Sequence, residues 1–292
     1  MRNFQWRDYV QALRAHQWLK NILVFTPALA AHRFDDALVA SILAFFSFSL
    51  SASSVYILND LLDLRNDRAH PRKRLRPFAA GRIPIMYGVA LFPALLLASL
   101  AIGFFLPKEF VLVLAGYFLL SCVYSLGLKR RMLVDVVVLA CLYGSRVVAG
   151  SAATGVVLSP WLVAFAMFLF FSLALVKRCA ELADHLDKGK GDPMGRGYRL
   201  DDLPVLRSMA TASGYVSVLV LALYINGDAV SALYRHPDRL WLNCVLLLFW
   251  ISRVIMITHR GAMHDDPLVF AATDRLSQLV LLTCAIVTFS AI

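Results

Sequence analysis

The chain has 292 residues, 60% of them hydrophobic and only 16% charged, with a formal net charge of +10. So apolar a composition excludes a water-soluble domain, and the surplus of Lys and Arg fits membrane orientation and anionic ligands better than nucleic acid. Five cysteines (Cys122, Cys141, Cys179, Cys244, Cys284) stand singly without CxxC spacing, so they read as small apolar packing residues, not as a disulfide framework or a zinc site.

The first 20 residues carry Arg2, Arg7, Arg14 and Lys20 and no apolar core, so no secretory leader is expected. Residues 1–17 read as an interfacial amphipathic helix with Trp6, Tyr9, Val10 and Leu13 on one side. Nine apolar runs follow, at about 18–34, 37–58, 83–106, 109–127, 133–153, 160–182, 205–226, 240–258 and 275–291. Each is long enough to cross ~30 Å of hydrocarbon, although Pro27 interrupts the first. With the N-terminus inside, 24 of the 29 Lys and Arg residues fall on inner segments and four (Arg33, Lys108, Arg235, Arg239) outside. That asymmetry is a strong positive-inside signal. The expectation is one polytopic domain over 1–292 in the inner (cytoplasmic) membrane, with a cytoplasmic N-terminus. Its long polar connections, 60–82, 183–204 and 259–274, are then cytoplasmic loops over the active site. Segments 37–82 and 160–204 share a plan, each a span ending in charges and a Gly/Pro-bearing loop, which hints at an internal pseudo-repeat.

The second run ends in YILNDLLDLRNDRAHPRKRLRPFAAG, residues 56–81. On a continuous helix Asn59, Asp60, Asp63, Asn66 and Asp67 fall within one arc of roughly 120°. Three carboxylates held together near a bilayer repel one another, and a divalent cation relieves the repulsion. Oxygen-only ligands suit Mg²⁺ that also holds substrate phosphates, with Mn²⁺ as an alternative. Arg65, Arg68, Arg72, Lys73, Arg74 and Arg76 follow at once, so acid for a metal is followed by base for an anion. The plainer reading is a solvated helix end with interfacial charges.

Further along, Tyr124, Lys129, Arg130 and Arg131 end the fourth run. Asp135 and Arg146 lie inside the fifth, and a buried Arg either pairs structurally or binds an anion. The sixth run ends with Lys177, Glu181 and Asp184 at i, i+4, i+7, hence on one helix face, flanked by Arg178 and His185. Lys177 there either pairs with Glu181 or serves an anion. None of the seven histidines falls at metal-ligand spacing, and His16, His70 and His264 suit interfacial hydrogen bonding. Asp265, Asp266, Asp274 and Arg275 read as a solvated surface before the last run, with a lid as the alternative.

Nine spans with the NDxxDxxxD stretch Asn59, Asp60, Asp63, Asp67 resemble the UbiA superfamily of intramembrane prenyltransferases over essentially the whole chain. Aromatic prenyltransferases of that superfamily carry a second aspartate-rich motif at the end of the sixth span, where this chain has Lys177 and Glu181. Together with RAHQWLKN (14–21), HPRKRLRP (70–77) and YSLGLKR (124–130), this is similar to the branch of decaprenyl-phosphate phosphoribosyltransferases, whose sequences usually read RP where Arg14-Ala15 stands here. The resemblance implies an all-α integral membrane protein with nine transmembrane helices around a central cavity open to the cytoplasm. It implies transfer of 5-phosphoribose from phosphoribosyl pyrophosphate to a polyprenyl (decaprenyl) phosphate, releasing pyrophosphate. Catalytic residues would be Asp60, Asp63, Asp67, Lys177 and Glu181, with Asp60, Asp63 and Asp67 holding the metal. Substrate-binding residues would be Lys20, Asn59, Arg74, Tyr124, Lys129, Arg146, Arg178 and Asp184. Partners would be the donor, the lipid and the bilayer, without nucleic acid, and a homo-oligomer is compatible.

Two rivals stand beside this reading. A prenyltransferase acting on an aromatic or quinone-precursor acceptor would use the same acidic stretch with a polyprenyl diphosphate. A transporter would set its ionisable groups at mid-bilayer, whereas here only Asp135 and Arg146 lie deep.

Overall fold

A computed structural model of the chain describes residues 6–69, 73–193, 197–227, 230, 233–263 and 266–292. Among these residues every regular element is helical. Seven helices are long and apolar enough to cross a membrane, and an eighth crossing arises if the pair before the C-terminus, bent by 83°, is one span.

Every expected run after the first is found as a helix: α3 (Phe34–Leu62), α5 (Ile85–Gly103), α6 (Lys108–Leu126), α7 (Val134–Thr154), α8 (Pro160–Asp187), α9 (Leu203–Ile225), α10 (Trp241–His259) and α12 (Arg275–Ala291). Shorter helices are α1 (Trp6–Leu13), α2 (Thr26–Ala30), α4 (Leu64–Ala69) and α11 (Pro267–Thr273). The first run differs. Ala15–Phe25 is a 3-10 stretch, and α2 begins anew with Pro27 in its first turn. Pro27 has no N–H for an incoming α-helix, and Lys20 and Asn21 turn inward where an apolar span would face lipid.

The chain divides into two compact units, Met1–Ser125 with Ser145–Val157, and Leu126–Gly144 with Leu158–Ile292. In the first, α3 packs along α5. The Ser- and Ala-rich middle of α3 permits close approach, as small residues do between helices in lipid. Ser47 Oγ donates to the Ser99 carbonyl at 2.8 Å, and Ser99 Oγ donates back to the Ser47 carbonyl at 2.7 Å. Phe48 carries the packing onto α6, its ring 4.5 Å from that of Tyr117. Helix α1 lies on the end of α3: Ala12 joins Ile57, Phe78 and Ile83 in one cluster, Ser53 Oγ donates to the Leu13 carbonyl at 2.7 Å, and Arg82 pairs with Asp8. Trp6 and Val10 are left exposed on α1.

In the second unit α8 packs along α9 by the same device. Ser172 Oγ donates to the Ala210 carbonyl, and Ser213 Oγ to the Phe168 carbonyl, each at 2.7 Å. Gly214 lets α10 approach, since a Cβ there would come 2.7 Å from a methyl of Ile251. Helix α12 is fixed to α10 by Arg253, which grips Asp274 at 2.7 and 3.0 Å, and by Trp250, whose indole donates to Ser277. Each unit therefore has one long helix, of 29 residues in α3 and 28 in α8, bolted to its neighbour through serines and ending in charged residues.

Candidate active site

Helix α3 delivers the acidic stretch but does not run through it. It ends at Leu62, Asp63 caps it with φ −90° and ψ 10°, and α4 starts at Leu64. The kink is local, because Asp63 N–H still reaches the Asn59 carbonyl at 2.9 Å and Asp67 N–H the Asp63 carbonyl at 2.8 Å. The expected single arc is thereby reshaped. Asp60 and Asp67 are buried, Asn59 and Asp63 half-buried, and Asn66 is exposed.

The two buried carboxylates converge on guanidinium groups. Arg76 reaches Asp60 at 3.1 Å and Asp67 at 2.7 Å through one nitrogen, and Arg14 meets Asp60 at 2.5 Å while lying over the Tyr56 ring. Arg14 takes this place from a left-handed backbone, φ 51° and ψ 47°, at the turn after α1. Among the described residues no three His, Cys, Asp or Glu side chains form a ready metal cage. The donor set nevertheless fits Mg²⁺, because two carboxylates already meet at one positive group, and this ion usually takes one or two carboxylates plus substrate phosphates.

The end of α8 is wired differently from its spacing. Glu181 pairs with Arg178 rather than Lys177, and Arg178 also grips buried Asp135 of α7 through two nitrogens. Lys177 instead reaches Asp266 at 2.9 Å. Asp266 is fixed by two further donors, the Tyr143 hydroxyl at 2.8 Å and Leu268 N–H at 3.2 Å, the latter capping α11. Asp184 pairs with Lys188 on the half-exposed side.

Other predicted residues are placed as follows. Lys20 is buried, Tyr124 and Lys129 are half-buried, and Arg74 is exposed while its neighbour Arg76 bridges the acids. Arg146 is buried, donates to Asn21 at 2.8 Å, and sits over the rings of Tyr117 and Phe48. His70, Arg72, His264 and Asp265 lie outside the described residues. Sequence reasoning did not single out Arg14 or Arg76 for the acidic end, nor Asp266 for the end of α8. An Asp before Pro267 does signal a helix start; its partner, 89 residues away, leaves no local mark.

Comparison with known proteins agrees with this architecture. The model of the UbiA prenyltransferase family matches residues 22–273. The chain is 37% identical to the uncharacterized protein y4nM of Sinorhizobium fredii over 94% of its length, and spans 54% of that protein. It is 35% identical to the nodulation protein NoeC of Azorhizobium caulinodans, covering 95% of this chain and 91% of NoeC. Identity to the decaprenyl-phosphate phosphoribosyltransferase of Mycobacterium tuberculosis is 32%, over 94% of this chain and 90% of that enzyme. A UbiA homolog from Archaeoglobus fulgidus, solved with GPP and Mg²⁺ bound, shares the fold with a TM-score of 0.72 at 18% identity, covering 96% of this chain and 99% of its own. Long apolar helices, an acidic stretch closing the first of them and a family model spanning most of the sequence converge: the chain is a transferase of the UbiA prenyltransferase family.

Proposed function

We propose that this chain moves 5-phosphoribose from phosphoribosyl pyrophosphate to a polyprenyl phosphate at the cytoplasmic face of a membrane. The observation that carries the reading is Lys177: the end of α8 places there a part-buried lysine, its ammonium paired with Asp266, rather than a second set of free carboxylates, since Glu181 and Asp135 are both taken up by Arg178. Every substrate of this reaction is anionic, and an ammonium suits them where more carboxylates would repel. The 32% identical relative named for this transfer adds support.

In this reading Asp60, Asp67 and Asp63 would hold Mg²⁺ together with substrate phosphate. When bound, the ion would supply charge stabilisation to the leaving pyrophosphate. Lys177 holds the donor 5-phosphate, and Arg178 braces the helix end because its guanidinium is already shared between two acids. No general base is required, since the attacking lipid phosphate is ionised at neutral pH. Lys20, Tyr124, Lys129 and Arg146 are candidates for the lipid headgroup and its approach. Nine crossings would require residues 15–30 to traverse the bilayer as a broken segment.

The test is incubation of purified protein with Mg²⁺, radiolabelled phosphoribosyl pyrophosphate and decaprenyl phosphate, followed by lipid extraction. Label in the lipid phase supports the reading, and its absence with active protein overturns it. The second reading, prenyl transfer from a polyprenyl diphosphate to an aromatic acceptor, draws on the family's name and on the neighbour solved with GPP. It predicts label transfer from the prenyl donor instead.

A further inference from the structure

We propose that Asp266 is a positioning residue for the anion site: it sets the Lys177 ammonium in place and so makes the start of α11 part of that site. This inference rests on the reading of Lys177 as the contact for the donor phosphate. The acids of α8 make their ion pairs elsewhere: Glu181 with Arg178 and Asp184 with Lys188. Buried Asp135 of α7 is gripped by Arg178 as well. The ion pair at Lys177 comes from the far end of the second unit, at 2.9 Å.

Asp266 is suited to be the fixed member of that pair. Its side chain is 7% exposed against 27% for Lys177. One oxygen caps α11 through Leu268 N–H, and the other accepts from the Tyr143 hydroxyl as well as from Lys177. Tyr143 is itself buried and packs against Phe170 of α8. The carboxylate is thus anchored to α7 and α11 whether or not Lys177 is present. The long, flexible Lys is the group that gains a defined place. With Arg178 matched by two acids and Lys177 by one, the cluster has no surplus of positive charge. Anion binding there depends on where the ammonium is held, and a support of this kind is what converts a mobile Lys into a preorganised contact.

The experiment separates positioning from capping and from the choice of substrate. Asn keeps the α11 cap and a neutral acceptor but removes the charge that holds Lys177, whereas Ala removes all three. Lys177 in purified wild type, Asp266→Asn and Asp266→Ala would first be labelled with an amine-reactive reagent and quantified by mass spectrometry, with no substrate present. Positioning predicts markedly faster labelling in both variants. Steady-state kinetics with phosphoribosyl pyrophosphate should then show KM raised at least ~10-fold in Asp266→Asn with a smaller change in kcat, and little further loss when Lys177→Ala is added. Unchanged labelling in Asp266→Asn overturns the proposal, as would a fall in KM, which would mean that the carboxylate competes with the donor. If labelling rises but wild type transfers no phosphoribose, the substrate reading fails and the positioning of Lys177 stands.

Discussion

Asp135→Asn should be among the most destabilising near-isosteric changes in the second unit. Arg178 contacts both oxygens of Asp135, at 2.5 and 3.2 Å, and the two side chains are 1% and 0% exposed. Its other acid, Glu181, is 38% exposed. Burial decides which arm matters. Breaking a buried pair leaves an uncompensated charge and costs about 3–5 kcal/mol, while a partly exposed pair contributes ~1 kcal/mol or less. Asp135→Asn should therefore lower stability by about 3–5 kcal/mol, and Glu181→Gln by no more than ~1 kcal/mol. Adding Arg178→Met to Asp135→Asn removes the stranded charge and should recover part of the loss. Unfolding in detergent micelles, followed by tryptophan fluorescence, measures all three. Equal losses from Asp135→Asn and Glu181→Gln, or a double variant worse than the sum of its parts, would refute the claim that burial sets the strength of this pair.

Other outcomes follow from the same geometry. Asp60→Asn, Asp63→Asn and Asp67→Asn should each lower transfer by at least ~10²-fold in the radiolabel assay, and EDTA should abolish turnover until Mg²⁺ is restored; near-normal turnover in Asp63→Asn would remove that residue from the metal set. Lys177→Ala should weaken binding of phosphoribosyl pyrophosphate by about 10- to 150-fold in a competition assay, the scale of one charge-assisted contact, and leave ribose 1-pyrophosphate nearly unaffected. Gly150→Ala should fail to accumulate as folded protein on size-exclusion chromatography, because its Cβ would lie 1.9 Å from the Val24 carbonyl oxygen and backbone cannot yield that far. In intact cells, single cysteines introduced at positions 108 and 236 of a cysteine-free variant should react with an impermeant thiol reagent and one at 190 should not; the reverse pattern would place the acidic stretch outside.

Most of the helices were legible because hydrocarbon imposes a length on them. The expected run 109–127 and the observed Lys108–Leu126, or 275–291 and Arg275–Ala291, differ by a residue or so. Where the sequence reading failed, polar side chains had inward duties that hydropathy does not register. Residues 18–34 are apolar on average, yet Asn21 is needed by Arg146 and by Ser49, and the segment follows those bonds rather than a continuous α-helix. The stretch after α3 was read as one helix because its carboxylate spacing is regular. Asp63 instead closes α3, which leaves Asp60 and Asp67 as the inward pair. The sequence pattern alone shows only the mutual repulsion of these carboxylates. With Asp60 bonded to Arg14 and Arg76, Asp60→Asn should also reduce stability, since two guanidiniums lose a buried partner.

Both charged ends share a physical logic that spacing alone does not reveal. Two carboxylates seven positions apart, at the end of a helix in a membrane protein, would repel and turn toward whatever water they could reach. Arg14 and Arg76 hold them convergent, one arriving from 46 residues upstream and the other from the connection that follows. At the end of α8 the local i, i+4 partner offered to Lys177 is lost to a stronger competitor. Arg178 is fully buried and so has the greater need for compensation, and it takes the acids within reach. Lys177 is left to Asp266, the carboxylate that caps α11 late in the chain. A helix end thus fixes which charges are present, while distant segments fix where those charges point. Candidate residue types could for that reason be read from α3 and α8 alone, and their pairing could not.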